Sequence, residues 1–412
     1  MSPDLLIPIP ANSDEAILAT DIFNETQGPR KGIFLTFEKA QKLIQFHLPD
    51  KHLDHLSYFK RGYNNRVYLA HCTDASEYVI RLGGRFWDHK KITNERHALQ
   101  LAQEALGDVT KVPTFIGTSI DEAKVHIEEG SRIVPYDYVI MDRLPGVPLD
   151  SVWDELSQED KKIVVDQIAH IFSCLRSIKL DAIGNFVDGP NGEPVVGPLM
   201  ECCGGPFPTW RDFVAGNIRQ EIKHLLGLET KFVELIPYVP RIETLIEKVK
   251  SGELEKQFKS QGGVTIEKPI SFLHGDLETR NMLVVGTQIV GLHDFEFAGG
   301  FPSEQEWCAG LESLFARSED PNDEGEQQKL ANMTDDQKEL LEHFLRTLKE
   351  KYGILQYGKE NQEYKVILYH LQANIAPWWL RDPAREEWTE TQVQSIKIAA
   401  DSLDRALKYL GC

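Results

Sequence analysis

The stretch HGDLETRN-MLVV-GTQ-IVGL-HDFEF, residues 274–297, constrains this chain more than any other part of it. Two short apolar runs flank a Gly-Thr-Gln turn, which is the pattern of a β-hairpin. The hairpin then carries HGDLETRN on one arm and HDFEF at the end of the other. Asp276, Asn281 and Asp294 can converge at that end, and Asn281 and Asp294, leaving opposite arms, can share one ion. Two protein oxygens completed by a ligand's phosphates is a usual way to hold Mg²⁺. Asp276, a separate carboxylate, suits a base that orients a hydroxyl. A zinc site from His274, Asp276 and His293 is chemically possible. It has no fourth ligand nearby in the sequence and uses fewer of these residues.

An aspartate, an asparagine shortly after it and then a metal-binding aspartate is the arrangement of phosphoryl transfer in protein kinases. The longer pattern HGDLETRNMLVV…IVGLHDFEFAGGFP resembles the signature of the aminoglycoside phosphotransferase and choline kinase-like family. Its R-N-x-L-V and D-F-E-x-A-G-x-x-P details look most like the large fungal branch of that family. The resemblance implies an α+β, bilobal protein kinase-like fold, with a small β-rich N-lobe and a large, mainly helical C-lobe. It implies ATP and Mg²⁺ as cofactors, Asn281 and Asp294 as metal ligands, and Asp276 as the base. His274 and Arg280 would brace the loop, with Arg280 also neutralising charge near Asp276. Leu283 would help line the cofactor site. The likeness is weaker over the N-lobe and hinge, and slight over 150–265 and 310–412.

The rest of the chain divides accordingly. Residues 1–50 read as an N-terminal extension with one helix over Phe37–Phe46. Residues 51–145 read as a β-rich lobe, with strand-like runs at Leu56–Phe59, Arg66–His71, Tyr78–Leu82, Lys124–Glu128 and Tyr136–Met141 and a helix over Asp88–Ala105. In residues 146–412 helical periodicity covers Ser151–Ser177, Trp210–Leu226, Arg241–Lys259 and the stretch from Asp335 to the end, around a strand-rich island at Ile270–Phe297. The acidic stretch 318–329 reads as a mobile loop. A cleft between two such lobes is a natural ligand site.

A kinase-like ATP site needs a strand cation that reaches the α/β-phosphates and is held by a helix glutamate. In EYVIRL, alternation puts Val79 and Arg81 on one face. Arg81 is the candidate cation, and Val79 would line the adenine pocket. Ile92, Leu99, Ala102 and Leu106 form an apolar helical stripe that includes Glu95. A carboxylate there needs a cation. Arg81 is the partner that the kinase-like reading supplies, and a helical lysine such as Lys91 is the alternative. The family more commonly has lysine at the strand position; arginine is always charged and can fork onto a carboxylate or phosphate. FKRGYNNRVYL resembles the nucleotide-covering loop, with Gly62 and Asn65 matching. YVIMDRLPG matches the hinge, which implies Met141 as gatekeeper and pairing of the base with the Asp142 carbonyl and Leu144 amide.

Composition limits the partners. Of 412 residues, 26% are charged and the formal net charge is −19, which argues against nucleic acid or an anionic membrane as partner. No apolar run approaches the ~20 residues of a membrane span. No secretory signal is visible. The six cysteines form no CxxC pair, so the expected setting is reducing and cytoplasmic. The acceptor is expected to be a small molecule, with an amine-bearing one favoured by the acidity. Trp378 and Trp379 are candidates to cap an acceptor pocket by cation–π contact, with core packing as the alternative. Adjacent Cys202 and Cys203 read as packing. His47, His52 and His55 read as a solvated helix end. Two other readings remain: a nucleotide-binding pseudokinase or scaffold, and ATP-dependent activation of a carboxylate or hydroxyl on the same fold.

Overall fold

The computed structural model describes residues 6–9, 30, 32–59, 64–84, 90–125, 132–200, 204–260, 269–306, 315, 333–354, 359–377, 380–381 and 390–412. Gly62, Cys202, Cys203, Trp378, Trp379 and the stretch 318–329 lie outside the described residues.

The first part of the chain builds one antiparallel sheet. Its elements are β1 (Leu6–Ile9), α1 (Phe37–His47), β2 (Leu53–Phe59), β3 (Asn65–Cys72), β4 (Glu77–Gly83), α2 (Lys90–Leu106), β5 (Phe115–Thr118), α3 (Ser119–Val125) and β6 (Tyr138–Asp142). The strand order is β1-β2-β3-β4-β6-β5. The period-2 pattern sorts the two faces of this sheet. Leu56, Tyr58, Tyr68, Ala70, Ile80, Leu82, Tyr138 and Ile140 join one core with Ala40, Leu43 and Ile44 of α1. Val79, Val139 and Met141 gather with Ile92 of α2 in a separate small cluster. Arg81 lies on the same side of β4 as Val79, so one sheet face is sealed by α1 and the other carries the candidate site residues.

Thr36 caps α1 by accepting from the Lys39 amide at 3.2 Å. His47 ends that helix half-buried rather than solvated, 2.9 Å from the Tyr138 hydroxyl. The strand expected over Lys124–Glu128 is not found: Ser119–Val125 is helical, and the described residues stop at Val125. The Thr118 hydroxyl accepts from the Asp121 amide at 3.2 Å, and acids fill the first turn, so capping overrides a short alternating pattern.

The second part begins with β7 (Val147–Pro148), followed by α4 (Gln158–Leu175), β8 (Phe186–Asp188), β9 (Pro194–Val196), α5 (Trp210–Gly227), α6 (Val239–Ser251) and α7 (Glu253–Ser260). Then come β10 (Ser271–Leu273), β11 (Met282–Val285), β12 (Gln288–Leu292), β13 (Gly299–Phe301), α8 (Ser303–Glu306), α9 (Asp335–Tyr352), α10 (Lys359–Ile375) and α11 (Glu390–Tyr409). The helix expected from Ser151 starts only at Gln158, where Ser157 caps it, after two short 3₁₀ turns. The helix expected over Arg241–Lys259 breaks at Gly252, whose left-handed φ of 71° ends α6.

The small strand β7 was not expected. It pairs with β11, placing Pro148 opposite Leu283 and so tying the hinge to the hairpin. Gly146 makes this approach possible: its φ is 98°, and a Cβ there would stand 2.8 Å from the Val284 carbonyl oxygen. Beneath the hairpin, Ile168, Phe172 and Leu175 of α4 pack in one core with Phe272, Leu273, Phe295 and Phe344. Among the described residues no helix is long and apolar enough to cross a membrane.

Since Leu43 is fully buried between α1 and the sheet, Leu43→Ala should cost about 2–5 kcal/mol in urea unfolding. A loss well under that range would show that α1 contributes little to the sheet's core.

Candidate active site

The hairpin forms as the sequence suggests. β11 and β12 pair from Met282 opposite Leu292 to Val285 opposite Gln288, closed by Gly286 and Thr287. At the open end the His293 amide donates to the Asn281 carbonyl at 3.0 Å, which sets Asn281 beside Asp294. Asp294 has φ 69° and ψ 52°, a left-handed conformation that costs a non-glycine residue roughly 1–3 kcal/mol. Such strain often marks functional positions.

The HGDLETRN loop is held from several sides. Gly275, at φ 82°, lies where a Cβ would fall 2.4 Å from the Phe297 carbonyl oxygen, so only glycine fits. His274 is fully buried, and both of its ring nitrogens are engaged. Nε2 lies 3.0 Å from the His293 carbonyl oxygen, and the Asp276 amide donates to Nδ1 at 3.2 Å. These bonds select the Nε2–H tautomer and leave no lone pair for a metal, which removes the zinc alternative. Burial holds His274 down to about 4, and burial together with nearby positive groups does the same to His293.

Asp276 stands at the mouth of this loop. Both its carboxylate oxygens accept from Arg280 Nη2 at 3.0 Å. Asn281 Nδ2 donates to Asp276 Oδ2 at 3.0 Å and to its carbonyl at 2.8 Å. Burial raises the Asp276 pKa against the pull of Arg280 and Asn281. Arg280 Nη1 also binds Glu278, whose carboxyl is pushed up to about 7 by burial and then by the Asp276 charge.

Glu306 is a further residue of the site that the sequence motifs do not mark. It is 0% exposed. Its carboxylate accepts from the amides of His274 at 2.6 Å, Gly275 at 3.1 Å and Leu277 at 3.2 Å. Burial pushes it up to about 8, against the pull of those three amides. Nothing local in the sequence marks it, because its partners are backbone groups some thirty positions earlier.

Across from the hairpin, Arg81 forks onto Glu95, with Nη1 2.9 Å from Oε1 and Nη2 bound to Oε2. Arg81 Nη1 also reaches Asp294 Oδ1 at 3.1 Å, and Glu296 Oε2 lies 3.7 Å away. Lys91 does not pair with Glu95; it binds Glu296 at 3.0 Å. Asn65 donates to Glu296 at 2.7 Å rather than standing free. Burial raises Asp294 well above the usual carboxylate range, helped by the Glu296 charge and resisted by Arg81. Glu296 falls well below that range, because Lys91 and Arg81 outweigh its burial.

The remaining expected residues gather beside this cluster. Val79 and Met141 are cross-strand partners. The Asp142 carboxylate accepts from the Thr114 amide at 2.6 Å. Leu144 and Leu283 are nearly buried and meet at Gly291, where a Cβ would lie 3.0 Å from Leu144 Cδ1 and 3.4 Å from Leu283 Cβ. Among the described residues the Leu144 amide makes no backbone hydrogen bond. Every expected site residue except Gly62, which lies outside the described residues, is thus placed on the hairpin, its loop, the hinge or the facing strands and helix.

Comparison with known proteins agrees with this geometry. The family model described as the phosphotransferase enzyme family matches residues 55–300, more than half of the chain. The chain belongs to that family, and its fold is the bilobal kinase-like fold of the aminoglycoside phosphotransferases. Three solved structures illustrate the likeness. Aminoglycoside phosphotransferase APH(2'')-Ib with ADP bound is 16% identical, with a TM-score of 0.51, covering 90% of this chain and 99% of its own. The streptomycin–ATP ternary complex of APH(2'')-IIa is 15% identical, with a TM-score of 0.52 and the same coverage. A thermostable mutant of APH(4)-Ia with ADP and hygromycin B is 14% identical, with a TM-score of 0.52, covering 90% and 98%. At this identity the likeness shows the fold alone. Comparison with curated protein sequences finds no match.

Two outcomes follow. In Glu306→Gln an amide NH₂ would face backbone N–H donors, so stability should fall by about 1–3 kcal/mol in urea unfolding. An unchanged midpoint would mean that the three bonds contribute nothing. Acid should weaken the fold through His274 and His293. Their folded pKa values, near 4, lie below the unfolded ~6.5, so stability is complete above pH 6.5 and falls on acidification towards pH 4, by up to ~1.4 kcal/mol per unit for each histidine. His274→Gln should flatten that slope in unfolding measurements across this range; an equal slope would place the acid sensitivity elsewhere.

Proposed function

We propose that this chain is an ATP-dependent phosphotransferase that moves the γ-phosphate onto a hydroxyl of a small molecule. The observation that carries the reading is a charge count inside the cleft. Arg81 and Lys91 face three carboxylates: Glu95 and Glu296, which are buried, and Asp294, which is 31% exposed and opens to the cleft. The cluster is one positive charge short, and the shortfall falls on Asp294, whose protonated form burial favours. A divalent cation there fits the residues present. Asp294 and Asn281 would hold Mg²⁺; Asn281 donates only through Nδ2, and its Oδ1 accepts no hydrogen bond among the described residues. When bound, the ion neutralises charge on the phosphates.

The chain's own residues supply the rest. Arg81, oriented by the fork onto Glu95, reaches the α/β-phosphates. Asn65 belongs to the edge of the nucleotide site, and Val79, Met141, Leu144 and Leu283 enclose the adenine between strand and hinge. The Asp142 carbonyl and Leu144 amide pair with the base. Asp276 takes the proton as the acceptor oxygen attacks the γ-phosphorus and the bond to the β-phosphate oxygen breaks, releasing ADP. A carboxylate offers about four lone-pair sites. Arg280 and Asn281 bond this carboxylate, Glu278 stands beside it, and burial makes Asp276 a better base than a free aspartate. His274 and Arg280 brace the loop, so catalysis rests on positioning and electrostatics. Glu278 beside Asp276 and the net charge of −19 favour an amine-bearing acceptor. The neighbours' streptomycin and hygromycin B complexes are consistent with that class.

Mg·ATP at 100 times its Kd should stabilise the protein by about 2.7 kcal/mol and raise Tm. No rise would refute both catalysis and a nucleotide scaffold. Asp276→Asn should keep ATP affinity and lose roughly 10²–10⁴-fold in turnover on an acceptor identified by mass spectrometry of a metabolite library. Undiminished turnover would refute Asp276 as base. A product other than a stable phosphate ester would favour activation of a carboxylate or hydroxyl.

A further inference from the structure

Glu296 has no role in the transfer step above, yet its carboxylate is bonded by three side chains of the N-lobe. It is 1% exposed. Its Oε1 accepts from Asn64 Nδ2 at 3.1 Å, and its Oε2 from Asn65 Nδ2 at 2.7 Å. Lys91 Nζ stands 3.0 Å from Oε2 and also donates to Asn65 Oδ1 at 2.7 Å, closing a triangle. From the same helix, Asn94 Nδ2 donates to the Glu296 carbonyl at 2.9 Å and the Ala298 carbonyl at 3.0 Å. Three separate pieces of chain therefore meet on one glutamate: the start of β3, helix α2 and the turn that carries Asp294.

We propose that Glu296 is a positioning residue. It clamps β3 and α2 to the Asp294 turn and so sets the register between Arg81–Glu95 on one lobe and Asp294 on the other. This inference rests on the phosphotransfer reading and adds to it a determinant of nucleotide affinity. The bonding pattern separates a clamp from a second metal ligand. Both oxygens are directed at N-lobe donors, and Oε2 is already shared between an ammonium and an amide. A buried carboxylate gains more from charge-assisted bonds than from neutral ones, so the clamp is strong where it is complete and costly where one member is lost.

The test is calorimetric titration of the full chain with ATP in Mg²⁺ and with ADP in EDTA. Wild type is compared with Asn65→Ala, Glu296→Gln, their combination, and the charge-balanced pair Lys91→Met/Glu296→Gln. The last variant keeps the experiment decisive if an unpaired Lys91 prevents Glu296→Gln from folding. A clamp weakens both titrations by about tenfold in each folded variant, the size expected from losing one charge-assisted bond. It also makes Asn65→Ala and Glu296→Gln less than additive. A loss confined to the Mg²⁺ titration would overturn the clamp in favour of direct metal binding. Unchanged affinities in folded variants would reduce Glu296 to packing. Wild-type protein that binds nucleotide in neither titration would overturn the phosphotransfer reading, and the clamp's role with it.

Discussion

Burying an ionised group is expensive unless its partners are in place, and the cleft of this protein depends on meeting that condition with Arg81. The guanidinium is nearly buried, and burial alone would lower its pKa. The charges of Glu95, Glu296 and Asp294 together raise it instead. One planar cation thereby touches a helix of the N-lobe and a turn of the C-lobe at once. A lysine has no second arm with which to fork onto Glu95 while reaching Asp294. The departure from the family's commoner residue is therefore compatible with the geometry around it.

The catalytic loop obeys the same condition with uncharged donors. Its tight turn at Gly275 leaves backbone amides buried without strand or helix partners, and Glu306 receives three of them. His274 satisfies the Asp276 amide with one nitrogen and the His293 carbonyl with the other. The loop is held largely by bonds to its main chain, including one from Asn281 Nδ2 to the Asp276 carbonyl. His274 and Asn281 hold the motif from within it, whereas Glu306 does so from some thirty positions further along the chain.

That division explains what could be read from the sequence. The hairpin and the convergence of Asp276, Asn281 and Asp294 follow from turn residues and alternation within two dozen positions, and the kinase-like fold from the family resemblance of the same stretch. Glu95 was legible because a charge inside an apolar helical stripe demands a partner. Lys91 was read as a candidate partner for Glu95 because helix spacing alone cannot see a carboxylate on another lobe. Glu296 is the glutamate of the D-F-E detail, yet its role was not legible locally, since its donors are Asn64, Asn65 and Lys91, far away in the chain. The helix over Ser119–Val125 and the strand β7 were missed for a related reason. A cap hydrogen bond decides the first, and pairing with β11 decides the second.

The two kinds of holding residue also differ in what they demand of the fold. Glu306 and His274 act within the C-lobe, so they can be satisfied whatever the N-lobe does. Arg81 and Glu296 are satisfied only when β3, β4 and α2 stand against the Asp294 turn. Separating the lobes would take Asp294 and Glu296 from their cations, while Arg81 would keep only Glu95. The low-dielectric setting that makes the pairs strong makes their separation costly. Lobe orientation is therefore coupled to the electrostatics of the site. On the proposed reading, a metal at Asp294 would weaken the pull of that carboxylate on Arg81 and leave Glu296 to keep the lobes in register.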